Sequence, residues 1–334
     1  MEWSGTAGNL SARNHVTFPV VFLVGPTAAG KSRLALALAR KWNAEIVSAD
    51  SMQVYRGLNI GTAKPAASEQ QQVPHHLIDI LNPSESFSVA EYRRRALEVI
   101  YDLKKRKKLA FVVGGTGLYI RALLEGLSAQ PAGCESVRKK LEQEAADRGI
   151  EALYQDLLEI DPESAKRIRP GDQRRIFRAL EIYRLSGKPA AVWHRTKEPL
   201  RSLGFEPVVI GIFRERSWLY ETIDQRVEVM IANGLEQEVR TLMAAGPLSK
   251  TALQAVGYKE FFSFIDQGKE NPEPREVETV KILVQQHSRN LAKRQMTWFR
   301  RELGIKWIEW TRNDHENDVI QRLDALLTSA IKFP

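Results

Sequence analysis

The 334-residue chain has one cysteine, Cys134. A single thiol builds neither an internal disulfide framework nor a cysteine-rich zinc site, so a reducing, cytoplasmic setting is expected. No apolar stretch reaches the roughly 18 residues of a membrane span, and no membrane partner is expected. Residues 1–17 lack the apolar stretch of a secretory signal and read as a loose, Gly/Ser-rich polar tail. There is no internal repeat and no low-complexity tract beyond Gln70–Gln72. His75 and His76 lack the spacing and partners of a metal site and read as structural. The tryptophans, at 3, 42, 193, 218, 298, 307 and 310, read as including core residues rather than stacking platforms. Acids are fewer than bases. The net charge is +8, which favours a polyanionic partner without establishing one. Hydrophobic residues make up 43% and mixed charges 27%, the balance of a folded chain with a sizeable core.

Short apolar runs at Val20–Val24, Ala44–Ser48, Leu109–Val113, Val208–Phe213 and Ile305–Trp310 read as strands, and Ser32–Trp42 reads as a helix. Strands alternating with helices predict an α/β fold, a parallel sheet covered by helices on both faces. From Glu135 to about Arg201 there is no strand pattern, only helical runs broken at Asp161-Pro162, Pro170-Gly171 and Gly187. The division expected is a core of residues 18–130 and 206–334 with a helical insertion at 131–205. Between Ser164 and Arg201 eleven Lys/Arg face three acids, an excess equal to that of the whole protein. Intrahelical pairing cannot absorb that imbalance, so a phosphate-backbone footprint is the better reading than a solvated face.

Gly25-Pro26-Thr27-Ala28-Ala29-Gly30-Lys31-Ser32 fits the P-loop pattern in full and lies between a strand and a helix. Its backbone N–H groups form a nest for phosphate oxygens, Lys31 adds a point charge, and Ser32 is a ligand for Mg²⁺. The fold expected is therefore P-loop NTPase-like. No later apolar strand ends in an aspartate of the Walker B kind, which weakens a case for ATP hydrolysis. Asp50 closes the second strand beside the P-loop, as a general base or as a helix cap or water-linked Mg²⁺ partner. Gly114-Gly115-Thr116-Gly117 after the third strand allows close backbone approach. Arg289, Lys293 and Arg300 fall on one face of a late helix whose other face is apolar.

These motifs occur in order with S-A-D-S-M-Q-V-Y (48–55), G-T-A-K-P (61–65), P-H-H-L-I-D (74–79), G-G-T-G-L-Y (114–119), V-G-Y-K-E (256–260) and A-K-R-Q-M-T-W-F (292–299). The set resembles the tRNA dimethylallyltransferase, or tRNA isopentenyltransferase, family from about Val20 to Trp310. The resemblance implies transfer of a dimethylallyl group from dimethylallyl diphosphate to N6 of an adenosine. That adenosine is 3′-adjacent to the anticodon in tRNAs reading codons that begin with U. It implies a P-loop that holds the donor's diphosphate rather than ATP, Mg²⁺ as cofactor, and a helical insertion that clasps the anticodon stem-loop. With one cysteine the chain has no zinc finger of the kind eukaryotic relatives append, so a bacterial type, working as a monomer, is expected.

Carried over by position, the resemblance makes Asp50, Thr116, Lys31 and Arg226 catalytic, with Asp50 as base. Gly25, Pro26, Thr27, Ala28, Ala29, Gly30, Lys31 and Ser32 would bind the diphosphate, Thr27 touching it, and Ser32 the metal. Arg226 reads equally as a surface arginine on a helix. tRNA contacts would come from Asp50, Ser51, Met52, Gln53, Thr116, Arg138, Arg174, Arg175, Ile176, Phe177 and Arg178. Further contacts would come from Leu253, Gln254, Ala255, Val256, Gly257 and Tyr258. Phe177 stands where relatives commonly carry a small polar residue. Three rivals remain: prenylation of free adenosine phosphate, a small-molecule P-loop kinase, and a non-catalytic RNA-binding protein.

Overall fold

Strand β1 (Phe18–Val24) shows why this chain builds a two-sided sheet. Val20, Phe22 and Val24 pack into one apolar core, and Val21 and Leu23, between them, into another. A strand buried on both faces needs a continuous apolar run, which is what β1 has. β4 (Leu109–Gly114) repeats the pattern, with Ala110 and Val112 on the first side and Leu109, Phe111 and Val113 on the second.

The computed structural model describes residues 17–193, 197–265, 274–302 and 304–331. With β2 (Ala44–Ser48), β3 (His75–His76), β5 (Phe205–Phe213) and β6 (Lys306–Glu309), the strands form one parallel sheet in the order β3-β2-β4-β1-β5-β6. The longer helices are α1 (Lys31–Lys41), α2 (Val89–Lys105), α3 (Gly117–Glu125), α4 (Glu135–Arg148), α5 (Ile150–Ile160), α6 (Gln173–Ser186), α7 (Arg216–Ala232), α8 (Leu235–Ala244), α9 (Pro274–Phe299) and α10 (Glu316–Ala330). α1 and α10 cover one face through Leu34, Leu38, Leu323 and Leu327. α2 covers the other through Tyr92, Ala96, Ile100 and Leu103. Because all strands run the same way, the loops after β1, β2 and β4 gather at one carboxyl edge, where such sheets bind ligands. No helix among the described residues is long and apolar enough to cross a membrane.

Each expected strand is present, some with shifted ends, and β3 joins them. β3 has only two residues, paired with Ile46 and Val47, too short to leave a pattern. β5 starts at Phe205 rather than Val208 because Phe205 pairs with Phe18, and Glu206-Pro207 interrupts its apolar run. The expected tail, with Trp3, falls outside the described residues apart from Thr17.

The chain divides into a sheet unit, residues 1–124 and 200–334, and a helical unit, 125–199. These boundaries lie six residues earlier at both ends than the 131–205 expected. The reason at the second end is Leu200, fully buried in a sheet-unit core.

The helical unit has its own core of Leu141 from α4, Leu153 and Leu157 from α5, and Ile176, Phe177 and Leu180 from α6. Asp172 caps α6 by accepting the Arg175 N–H, and Gly187 ends it in the left-handed conformation at φ 67°. Glu181, like Asp161 a buried carboxylate of this unit, is 1% exposed. It accepts the Cys134 N–H at 2.8 Å, Arg178 Nη1 at 2.8 Å and Arg138 Nη2 at 3.2 Å. Burial alone would raise its carboxyl, but the hydrogen bonds from Arg178, the Cys134 amide and Arg138 outweigh this and hold it below the usual range. Its contribution is therefore present above the unfolded carboxyl pKa and is lost as pH falls. Glu181→Ala is expected to cost about 2 kcal/mol, less than a fully buried pair because the arginines re-solvate. Urea denaturation followed by circular dichroism should show the loss.

Candidate active site

The P-loop motif leaves β1 at Gly25 and enters α1 at Lys31. Gly30 has φ +92°, and a Cβ there would lie 2.4 Å from the Trp310 ring, so only glycine fits. Lys31 is 8% exposed and its Nζ donates to the Pro26 carbonyl at 2.6 Å. Burial pushes its ammonium down to about 7; Asp50 pulls it up and Arg226 pushes it further down. Ser32, in the first turn of α1, is exposed and lines the same cleft.

The turn after β2 delivers Asp50. Its Oδ1 accepts the N–H groups of Met52 at 2.8 Å and Gln53 at 3.3 Å. Oδ2 has no donor among the described residues, so one oxygen fixes the carboxylate and the other is free in a cleft of about 400 Å³. The loop after β4 buttresses this turn. Thr116 N–H donates to the Ala49 carbonyl at 3.1 Å, and Thr116 Oγ1 accepts the Ser51 N–H at 3.0 Å. The approach is close enough that a Cβ at Gly114 would stand 2.2 Å from the Ala49 carbonyl oxygen. Thr116, expected among the catalytic residues, is thus bonded to the Asp50 turn and is half-buried beside it.

α7 brings Arg226 across to the loop. Its Nη1 donates to Thr27 Oγ1 at 3.3 Å and its Nη2 to the Thr62 carbonyl at 3.5 Å. Burial lowers its pKa while Asp50 opposes that shift. It is a cleft residue, not the surface arginine that a helical position also allows. The structure thus gathers Lys31, Ser32, Asp50 and Arg226 from three separate segments around one space.

Two structural elements of this site went unseen in the sequence. Gln295, on α9, accepts the Thr27 N–H at 2.8 Å and donates to the Gly115 carbonyl at 3.1 Å, tying the P-loop to the β4 loop. It was in view as part of A-K-R-Q-M-T-W-F, but nothing in a helical pattern tells which loop a neutral amide meets. Glu238, on α8, accepts the N–H groups of Asn59 at 3.2 Å, Ile60 at 2.9 Å and Gly61 at 3.4 Å. These bonds hold the segment whose Thr62 carbonyl meets Arg226 and Gln53 Nε2.

A model of the IPP transferase family matches residues 53–302. The chain belongs to that family. It is 46% identical over 297 residues to the tRNA dimethylallyltransferase of Geobacillus thermodenitrificans, covering 89% of this chain and 92% of the relative. The crystal structure of the tRNA isopentenylpyrophosphate transferase of Bacillus halodurans matches with TM-score 0.66 at 38% identity, covering 93% of this chain and 97% of that one. A eukaryotic dimethylallyltransferase crystallised acting on tRNA matches with TM-score 0.77 at 26% identity, covering 94% and 79% of the two chains.

The residues expected to touch tRNA in this IPP transferase divide by burial. Arg174 and Arg175 are exposed, and Leu253 and Gln254 are exposed in the sheet unit. Four others are corrected to packing residues. Ile176 at 0% and Phe177 at 7% exposure fill the helical core, and Ala255 at 1% and Tyr258 at 0% fill a core of the sheet unit. The Tyr258 hydroxyl donates to Glu238 at 2.5 Å and accepts the Gly61 N–H at 3.1 Å, so it is an internal strut. Arg138 and Arg178 are tethered to Glu181. Gln53 accepts the Ser48 hydroxyl at 3.1 Å, spending its carboxamide inside the fold. Lys166, Arg169 and Arg174 are exposed and have no ion-pair partner among the described residues.

No group of three or more His, Cys, Asp or Glu that could hold a metal occurs among the described residues. Mg²⁺ seldom needs one, since it keeps waters and takes substrate phosphates with one or two protein oxygens. The Ser32 hydroxyl, exposed on the cleft and without a hydrogen-bond partner among the described residues, fits that demand.

Proposed function

We propose that this IPP transferase moves a dimethylallyl group from dimethylallyl diphosphate to N6 of the adenosine 3′-adjacent to the anticodon in tRNAs that read codons beginning with U. The observation carrying the reading is one cleft that holds two cations, Lys31 and Arg226, together with a carboxylate that has one oxygen free, Asp50. The strand beside β1 ends in Gly114-Gly115, without a Walker B carboxylate to serve ATP hydrolysis. That favours a diphosphate leaving group over a kinase's ATP.

An adenine amine is a weak nucleophile because its lone pair is delocalised into the ring. As N6 bonds to the allylic C1, the C1–O bond breaks and its electron pair goes to the bridging oxygen of the departing diphosphate. Asp50 Oδ2 takes the N6 proton. Lys31, Arg226 and the loop amides stabilise the charge growing on the diphosphate. Mg²⁺, held by Ser32 and the phosphates, would neutralise part of the same charge. The base must leave its stack to reach the cleft. Lys166, Arg169 and Arg174 of the helical unit would meet anticodon-stem phosphates and fix the register, not the sequence.

Incubation with dimethylallyl diphosphate, Mg²⁺ and unmodified tRNA, followed by nucleoside mass spectrometry, tests the reading. N6-dimethylallyladenosine at the position 3′ of the anticodon is expected, with no product from adenosine monophosphate. Product from the mononucleotide alone would transfer the assignment to free-nucleotide prenylation. ATP-dependent phosphorylation without prenyl transfer would favour the kinase.

A further inference from the structure

A third cation of the cleft, like Lys31 and Arg226, has no ion-pair partner among the described residues. Arg214 follows β5 and is 9% exposed, although it lines the space that Lys31 and Arg226 line. Its guanidinium carbon lies 4.1 Å from the ring centroid of Trp218 and 4.3 Å from that of Trp310. The two rings stand at 82° to each other, so they wall the guanidinium on two sides. Trp310 is buried in a core and Trp218 packs against it, in keeping with the sequence reading of the tryptophans, and both also face this guanidinium. Nη2 reaches the phosphate-binding loop itself, 3.3 Å from where a Cβ on Gly30 would stand.

Hydrogen bonding leaves the group short. Nη1 donates to Thr222 Oγ1 at 3.2 Å, and Nε has no partner. No carboxylate forms an ion pair with Arg214 among the described residues. The acid that attracts it, Glu316, is itself bound by Arg33 at 2.6 Å. Burial, with repulsion from Arg33, pushes the guanidinium down to about 10, still charged at neutral pH. Contact with two indoles recovers part of the cost of burying such a charge. Fixed charges this deep are otherwise paired. What the site lacks is an anion, and the neighbouring loop is built to hold one.

We propose that Arg214 is a diphosphate ligand, a third cation beside Lys31 and Arg226. The inference rests on reading the cleft as a diphosphate site. A guanidinium walled by two rings presents a fork of N–H donors, which suits two oxygens of one phosphate or of adjacent ones. The indoles keep that fork from turning to solvent. Opposing Asp50 with three buried cations rather than two also matches the several negative charges of a diphosphate.

The test is calorimetric titration of inorganic pyrophosphate with Mg²⁺ into the full chain and its Arg214→Met variant. Methionine keeps the volume between the indoles and removes the charge. Affinity is expected to fall about tenfold or more, with Tm nearly unchanged. In steady-state transfer the KM for dimethylallyl diphosphate should rise by a similar factor, and Arg214→Lys should recover only part of it. A wild-type affinity in a folded Arg214→Met variant would overturn the proposal and leave the diphosphate reading of the cleft intact. Failure of the wild type to bind pyrophosphate would overturn both. If Arg214→Met does not fold, the wild type still decides. Saturating pyrophosphate should change tryptophan emission, and Trp218→Phe should remove most of that change. Unaltered emission at full occupancy contradicts the proposal.

Discussion

An Asp50→Asn variant is expected to bind dimethylallyl diphosphate and tRNA within a few-fold of wild type and to transfer the prenyl group about 10²–10⁴ times more slowly. The asymmetry of the carboxylate is the reason. Oδ1 caps the turn through the Met52 and Gln53 N–H groups, a task an asparagine oxygen also performs. Oδ2, without a protein donor, is the atom that would take the proton, and an amide nitrogen cannot. Asp50→Ala removes both, so it should weaken tRNA binding as well as transfer. Single-turnover rates measured beside equilibrium binding separate the two losses. If Asp50 acts instead by holding Mg²⁺ through water, Asp50→Asn should weaken donor binding and recover with added Mg²⁺. A full rate in Asp50→Asn would remove the carboxylate from the chemistry.

The second large effect is at Lys31. Lys31→Met is expected to reduce kcat by about 10²–10³, the range for removing a group aimed at developing charge. Its pH behaviour follows from its burial. In the empty cleft the ammonium is pushed down to about 7. The diphosphate needs it protonated, so donor affinity should be full below pH 7 and should weaken as pH rises beyond it. Near pH 8 binding should take up a proton, seen as a dependence of calorimetric heat on buffer ionisation enthalpy. Lys31→Met should abolish that uptake. The empty protein should show the opposite slope: because the folded state binds fewer protons than the unfolded one above about pH 7, this lysine's burial penalty lessens as pH rises. Proton uptake that persists in Lys31→Met would assign the titration to another group.

The parts of the site that the sequence announced are those confined to a few consecutive residues. The P-loop is eight residues whose spacing is the mechanism, and Asp50 follows another strand of the same sheet at the shared carboxyl edge, by the ordinary rule of parallel sheets. Arg226 could not be separated from a surface arginine, because the deciding contacts, Thr27 and Thr62, are 199 and 164 residues away along the chain. Gln295, Glu238 and Arg214 were missed for the same reason. Each acts through a partner set by tertiary packing, and Arg214 only makes sense once Trp218 and Trp310 are known to enclose it. Burial within the two expected contact segments was not legible either. In 174–178 and 253–258 helical or turn periodicity buries Ile176, Phe177, Ala255 and Tyr258 while leaving their neighbours outside. Two-residue β3 and the early start of β5 escaped because pairing, not composition, makes them strands.

The central claim is that the P-loop holds the prenyl donor's diphosphate while Asp50 faces the acceptor amine. A crystal structure of the complex with pyrophosphate, Mg²⁺ and an anticodon stem-loop tests it most directly. The account predicts phosphate oxygens on the Gly30–Ser32 amides and Lys31 Nζ, and the extruded adenine N6 within about 3 Å of Asp50 Oδ2. A diphosphate bound elsewhere, or an adenine whose N6 meets no carboxylate, would contradict it.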